Sequence, residues 1–227
     1  MKLIGKTAFI TGSTRGVGQQ IALGLARLGC NIIVHGREPE NCKKTLAMLD
    51  EFQIETYSVH GDLAKNSEIE DIILQVNQLN VPVDILYNNA AIMSEYREDI
   101  WSHTTDDWMR SYQVNVVATY KFCAAFVPSM IERNYGRVIN ITSRIADQPQ
   151  LAPYGATKWA VDKLSQDFAY ALKDTNVRMN YLDPTWLKTD LGGEHADNEV
   201  QAVLPGALEP ALIGNDGPNG DYFCAVE

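Results

Sequence analysis

Tyr154 and Lys158 stand four residues apart in a stretch, residues 155–173, whose pattern reads as helix, so their side chains share one face. An ammonium held beside a phenol favours the phenolate and pulls the tyrosine pKa down from roughly 10. That shift makes tyrosine a proton donor or acceptor near neutral pH. The pair alone is weak evidence, because Tyr and Lys recur at this spacing on many helices. Ser143 closes the run Val138-Ile139-Asn140-Ile141-Thr142, and a serine at a strand end is commonly a plain turn residue. Asn115 lies inside a second helical stretch, a poor place for asparagine unless its side chain has a task.

These groups need elements to position them. Short apolar runs at 7–11, 31–35, 56–59, 83–87, 137–142, 178–182 and 221–225 alternate with helical patterns at 17–28, 41–52, 67–79, 105–133 and 155–173. Runs such as Ile32-Ile33-Val34 are continuously apolar, as strands covered on both faces are. Repeated strand–helix–strand units imply a parallel sheet with helices on both sides. Nothing marks a linker, a repeat or a low-complexity tract, so the expectation is one α/β domain over residues 1–227, a doubly wound parallel sheet of about seven strands. Thr104 and Asp107 are spaced for a capping box at the start of 105–133, and Pro128 is expected to kink or end that helix near Val127.

The first strand–helix junction reads Thr11-Gly12-Ser13-Thr14-Arg15-Gly16-Val17-Gly18. Glycines at 12, 16 and 18 permit a tight turn, a close approach of backbone to ligand, and packing of the helix on the sheet. Amides at the start of that helix then face a pyrophosphate. The spacing differs from G-x-G-x-x-G, and an ordinary glycine-rich turn is the competing reading. The second strand ends in Val34-His35-Gly36-Arg37-Glu38. Arg15 and Arg37 could converge on a 2′-phosphate, which favours NADP(H); Glu38 holding a ribose would favour NAD(H), which stays possible. Gly61-Asp62-Leu63 and Asn88-Asn89-Ala90-Ala91 follow the third and fourth strands at carboxyl ends, where open α/β sheets bind ligands. Asp62 could accept from an adenine amino group, and Asn88 and Asn89 could tie strands together or line the cleft; either segment could also be plain turn chemistry.

A net charge of −10 argues against nucleic acid or an anionic membrane as the main partner. No apolar run approaches a membrane span, and the apolar stretch near the N-terminus is broken by Gly5, Lys6 and Thr7, unlike a signal peptide. Cys30, Cys42, Cys123 and Cys224 lack CxxC spacing and read as free thiols in a reducing compartment. A cytoplasmic protein is expected.

In order along the chain, Thr11-Gly12 with Gly16-Val17-Gly18, Asn88-Asn89-Ala90, Asn115, Ser143, and Tyr154 with Lys158 resemble the short-chain dehydrogenase/reductase family from the first strand to about Thr189. The resemblance implies a single-domain Rossmann-type fold and an Asn115–Ser143–Tyr154–Lys158 tetrad. It implies that Tyr154 protonates a carbonyl oxygen as hydride arrives from the nicotinamide, or deprotonates an alcohol in reverse. Ser143 would hydrogen-bond the same oxygen. Lys158 would lower the Tyr154 pKa and bind the nicotinamide ribose, and Asn115, through its backbone, would hold a water in a relay to Lys158. Cofactor contacts implied are Gly12, Thr14, Arg15, Gly16, Val17, Gly18, His35, Arg37, Asp62, Leu63, Asn89, Ala90, Tyr154, Lys158, Pro184 and Thr189. Three departures stand out: Ala91 and Thr185 occupy positions usually held by glycine, and the 143–154 segment is about two residues short. The ending, residues 216–223, is similar to that of carbonyl-reductase-like members.

A short polar segment within the lid region, about 185–215, is expected to leave an open pocket for small or medium aldehydes and ketones. Arg144, Gln148, Trp186 and the 92–102 loop are candidate wall residues by position. A catalytically silent NADP(H)-binding regulator on the same fold is the alternative to the enzyme. The resemblance also implies a homodimer or homotetramer that pairs helices 105–133 and 155–173, with no metal.

Overall fold

The structure, a computed structural model, describes residues 3–226. Six apolar runs form the strands β1 (Thr7–Ile10), β2 (Asn31–Gly36), β3 (Thr56–His60), β4 (Ile85–Asn88), β5 (Gly136–Ile141) and β6 (Val177–Asp183). A two-residue ladder, β7 (Leu187–Lys188) with β8 (Asn198–Glu199), follows, and β9 (Tyr222–Cys224) ends the chain. The main sheet has seven strands in the order β3-β2-β1-β4-β5-β6-β9, and each neighbouring pair is parallel. β1 and β5 are buried along their whole length, as continuously apolar strands between helical layers must be.

The helices are α1 (Gly16–Arg27), α2 (Pro39–Leu49), α3 (Asn66–Gln78), α4 (Thr105–Tyr112), α5 (Ala118–Glu132), α6 (Ala152–Ala171) and a short α7 (Glu209–Leu212). Two apolar clusters fill the space on the sheet. One gathers Ile10, Ile21, Leu25 and Val34 with Val203, Ala207 and Ala211; the other gathers Phe9, Ile72, Phe122, Phe126 and Met179. Phe9 meets Phe122 and Phe126 edge-on, with centroids 5.5 and 5.7 Å apart. Burial of each such ring contributes about 1.5–3 kcal/mol. All four cysteines are free thiols, Cys224 alone exposed.

Four expectations change. The 105–133 helix is not uniform: a π-helical turn, Gln113–Val117, separates α4 from α5. Pro128 neither ends nor breaks α5, which runs on to Glu132. Pro128 and Ala124, whose carbonyl loses the Pro128 partner, are both exposed, so water can serve that carbonyl while Phe122, Phe126 and Met130 hold the other face. The continuous helical stretch Thr105–Glu132, with mean hydropathy 1.4, is long and apolar enough by length and composition to cross a membrane, and 44% of that window is buried inside the protein. Finally, the lid region is half core: Val203, Ala207 and Ala211 are fully buried, and the Tyr87 hydroxyl donates to the Ala207 carbonyl at 2.8 Å.

Candidate active site

The strand order reverses between β1 and β4, which opens a crevice at the carboxyl edge. The β1–α1 loop lines it. Gly12 has φ +64°, and a Cβ on Gly18 would lie 2.6 Å from the Gly12 carbonyl oxygen, so side chains are excluded where a ligand's phosphates must approach. Thr11 Oγ1 accepts from the amides of Asn89 and Ala90 at 2.9 and 3.0 Å, and Asn89 Nδ2 donates to the Thr11 carbonyl at 2.8 Å. Asn89 and Ala90 therefore close the loop rather than reach freely into the cleft. Asn88 ties the sheet instead: its Nδ2 donates to Asn140 Oδ1, whose own amide donates to Ser165 Oγ, each at 2.8 Å. Ala91, in a position where glycine was expected, has no left-handed φ, and its Cβ is accepted without strain.

His35 is not a cofactor contact of the kind expected. It is 2% exposed and lies beneath the loop, with Nδ1 accepting from the Gly12 amide at 3.0 Å and Nε2 3.2 Å from the Gly61 carbonyl. That pairing makes Nε2 the protonated nitrogen, and burial pulls the imidazole pKa down to about 4. Leu63 is likewise core, at 5% exposure. Asp62 closes its own turn, with Oδ1 accepting from the Ala64 amide at 3.0 Å. Thr14 packs its methyl over Gly36. Arg15 and Arg37 are both exposed at the crevice rim. Glu38 is occupied otherwise: it closes a capping box with Asn41 at the start of α2, where Pro39 takes the first turn. A glycine cradle, two exposed guanidiniums and a committed Glu38 fit a dinucleotide that carries an extra phosphate.

The proton-handling groups gather further along the same edge. Tyr154 and Lys158 lie on one face of α6, at 5% and 3% exposure, with Lys158 Nζ 5.5 Å from the Tyr154 ring centroid. Lys158 Nζ donates to the Ile141 carbonyl at 2.9 Å. Burial pulls the ammonium down to about 8, opposed by the carboxylates of Asp183 and Asp162. Burial also pushes the Tyr154 phenol up to about 12, against the Ser143 hydroxyl, which acts in the opposite sense. Desolvation of the phenolate and the Asp183 carboxylate set the direction of the Tyr154 shift, and Lys158, 5.5 Å from the ring centroid, is not among its causes. Asn115 sits in the π-turn, where extra-residue turns often mark functional positions. Its side chain accepts from the Ile92 amide and donates to the Ile92 carbonyl and to Thr157 Oγ1, each at 2.9 Å. Those bonds fasten the loop after β4 to α6.

After β6, Pro184 leads into Thr185, a β-branched residue at φ +66° whose hydroxyl is buried without a partner. Thr189 faces the glycine loop: its methyl carbon would be 3.5 Å from a Cβ on Gly16. The next residue, Asp190, pairs with Arg15 at 2.7 Å across the crevice. Trp186 is half exposed and donates to the Gly192 carbonyl at 2.8 Å. Arg144 is not a free wall residue; its guanidinium pairs with Asp162 at 3.0 Å and stacks 4.2 Å from the Tyr222 ring centroid. Sequence reasoning gave no role to Thr157, Asp162 or Asp183, and took Thr11 only as part of the glycine motif. For Asp183 a signal existed, a carboxylate closing an otherwise apolar strand at the carboxyl edge.

The family model described as short chain dehydrogenase matches residues 6–200. The chain belongs to that family. Among curated short-chain dehydrogenases, it is 35% identical over 193 residues to "Dehydrogenase/reductase SDR family member 4" of Sus scrofa, covering 83% of this chain and 68% of that one. A 3-oxoacyl (acyl-carrier-protein) reductase from Agrobacterium tumefaciens, solved with NADP bound, superposes with a TM-score of 0.88 at 25% identity, over 99% of this chain and 95% of the other. A gluconate 5-dehydrogenase from Burkholderia cenocepacia, solved with NADP and tartrate, gives a TM-score of 0.85 at 26% identity, over 98% and 94%. This short-chain dehydrogenase is an NAD(P)-dependent oxidoreductase.

Proposed function

We propose that the protein interconverts a ketone or aldehyde and the corresponding alcohol with NADP(H), Tyr154 serving as the proton donor or acceptor. The observation that carries this reading is the joint burial of Tyr154 and Lys158 on one face of α6 beside Ser143. Gly12, Gly16, Gly18 and the amides opening α1 would hold the pyrophosphate, Arg15 and Arg37 the 2′-phosphate, and Thr189 the nicotinamide end. When bound, the cofactor supplies or takes the hydride. The solved relatives that carry NADP and the capping role of Glu38 support NADP(H) over NAD(H).

Tyr154 holds its proton across the physiological range, which suits it to protonate a carbonyl oxygen in the reductive direction. Ser143 would donate to the same oxygen and stabilise the charge that develops there. Lys158 places a cation beside the phenolate left behind. With its side chain committed to Ile92 and Thr157, Asn115 would act in a relay through its main chain. The exposed segment 190–195 leaves the pocket open, favouring broad acceptance of small carbonyl compounds. The partner surface would be a second copy of this chain: α5 and α6 present exposed Tyr120, Trp159 and Tyr170, and Tyr120, Val127 and Phe168 line an apolar groove of about 190 Å³.

Tyr154→Phe tests the reading. Turnover of NADPH against a carbonyl panel should fall by about 10²-fold or more, with NADPH still bound as measured by its fluorescence. Unchanged turnover would remove Tyr154 from the mechanism, whereas an inactive wild type that binds NADPH would favour the silent regulator.

A further inference from the structure

Asp183 ends β6 at 5% exposure, and its two oxygens are divided between two walls of the cleft. Oδ2 accepts from the amide of Arg144, the residue after Ser143, at 2.8 Å. Oδ1 accepts from the amide of Thr185 at 2.8 Å. The Tyr222 hydroxyl reaches Oδ2 from β9 at 3.4 Å. One carboxylate therefore joins the backbone that carries Ser143 to the backbone that carries Pro184.

Thr185 explains why such a brace is needed. A β-branched residue at φ +66° is held in a conformation it resists, and its buried hydroxyl has no partner. Glycine would rest there unaided. The bond from the Thr185 amide to Asp183 two residues earlier is the local turn chemistry that aspartate supplies best. Strain of this kind persists where surrounding structure over-determines it, and it gathers at ligand sites.

We propose that Asp183 is a positioning residue for the reaction, bracing Ser143 against the Pro184–Thr185 segment and setting a fixed negative charge near the buried Lys158. This rests on the oxidoreductase reading of the same site. Lys158 is faced by Tyr154 and Asp162 from its own helix, by the Ile141 carbonyl from β5 and by Asp183 from β6. Arg144, after β5, is paired with Asp162, which leaves Asp183 the less compensated of the two carboxylates.

Asp183→Asn is the discriminating variant. It keeps the shape and one acceptor, turns an NH₂ group toward one of the two amide donors, and removes the charge. Three quantities are measured on the full chain: thermal unfolding, NADPH binding by fluorescence, and carbonyl reduction across pH. The variant is expected to fold and to bind NADPH within a few-fold of wild type, while kcat drops by roughly 10–100-fold because Ser143 is displaced. The descending alkaline limb of the pH profile moves to lower pH, because Lys158 loses a favourable charge. Asp183→Ala, which removes the brace outright, should be partly rescued in stability by Thr185→Gly, since glycine needs no brace. Wild-type kcat and pH profile in Asp183→Asn overturn the proposal. So does a parallel loss of stability, NADPH binding and kcat with the pH limb in place, the mark of a purely structural carboxylate. If wild type reduces no carbonyl, the oxidoreductase reading fails by itself. The brace is then judged on the stability cycle, and additive effects of Asp183→Ala and Thr185→Gly overturn it.

Discussion

His35 Nδ1 accepts a hydrogen bond from the Gly12 amide at 3.0 Å, so the second strand carries the glycine loop on an uncharged imidazole. The other nitrogen is bound to the Gly61 carbonyl, and the ring joins three strand ends. A protonated ring has no lone pair to offer Gly12.

Stability is therefore expected to fall with acid in a window set by His35. Its folded pKa is lowered to about 4 by burial, against an unfolded value of about 6.5. Between those values the unfolded chain binds the proton and the folded chain does not, so stability rises with pH there. The contribution is complete above about pH 6.5 and declines as pH falls toward 4, by about 2 kcal/mol at pH 5. Urea unfolding at pH 7.5 and 5.0 measures it. His35→Asn retains an acceptor without titrating, and should lose less stability than wild type over the same interval. Parallel losses in the two proteins would show that the ring does not carry the effect.

Arg15 has two claims on it. It pairs with Asp190 at 2.7 Å, yet both side chains are more than half exposed, so the pair adds little to stability. A 2′-phosphate would compete for the same guanidinium. Arg15→Ala and Arg37→Ala should each weaken NADPH by roughly tenfold, the loss of one charge-assisted contact, and leave NADH within about twofold. Asp190→Asn should tighten NADPH by about two- to fivefold, reflecting the modest energy of an exposed pair. Fluorescence titrations with both cofactors decide this. Equal losses for NADPH and NADH in the arginine variants would place the phosphate elsewhere.

Much of this arrangement was legible in the sequence. Strands buried on both faces betray themselves as continuous apolar runs, and Ile32-Ile33-Val34 needed no further context. Tyr154 and Lys158 were legible because helix geometry converts a spacing of four into a shared face. The π-turn was not legible, because helical periodicity continues on either side and Gln113–Val117 carries no glycine or proline, Asn115 being its one unusual residue. His35 misled for a related reason: a polar residue at a strand end looks like a ligand contact until its neighbours occupy both nitrogens. Val203, Ala207 and Ala211 read as part of the lid because short apolar residues broken by Pro205 and Gly206 have no period, and only α1 and the sheet give them a place to bury. The pKa of Tyr154 depends on desolvation, which a sequence does not report.

Thr185→Gly should stabilise the protein. A non-glycine residue at φ +66° costs about 1–2 kcal/mol, and glycine returns up to about 1 kcal/mol of unfolded-chain entropy. The expected net gain is about 0.5–1 kcal/mol, a Tm rise of about 1–4 °C for a chain of this size. Differential scanning calorimetry of the two proteins is sufficient. A lower Tm would mean that the Thr185 side chain contributes more to the fold than its strained backbone costs.

Lys158 should write the alkaline limb of the reductive pH profile. Its ammonium is fully buried, and burial brings its pKa down to about 8 despite Asp183 and Asp162. Tyr154, raised to about 12, keeps its proton throughout the accessible range and contributes no limb there. In the proposed mechanism the cation stands beside the phenolate that forms, so kcat should be level on the acid side of 8 and descend as pH rises through it. Lys158→Met removes the titrating group and should give a flat profile in this region, at a rate reduced by about 10²-fold or more. Folded-state stability follows the same protonation logic as at His35, moved to alkaline pH. With a folded pKa below its unfolded value of about 10.4, Lys158 opposes folding most below pH 8, and the opposition fades as pH rises toward 10. Lys158→Met should accordingly gain stability over wild type at pH 7 and lose that advantage by pH 10, read by urea unfolding at the two values. A descending limb that survives in Lys158→Met would belong to another group and would detach Lys158 from the pH dependence of the reaction.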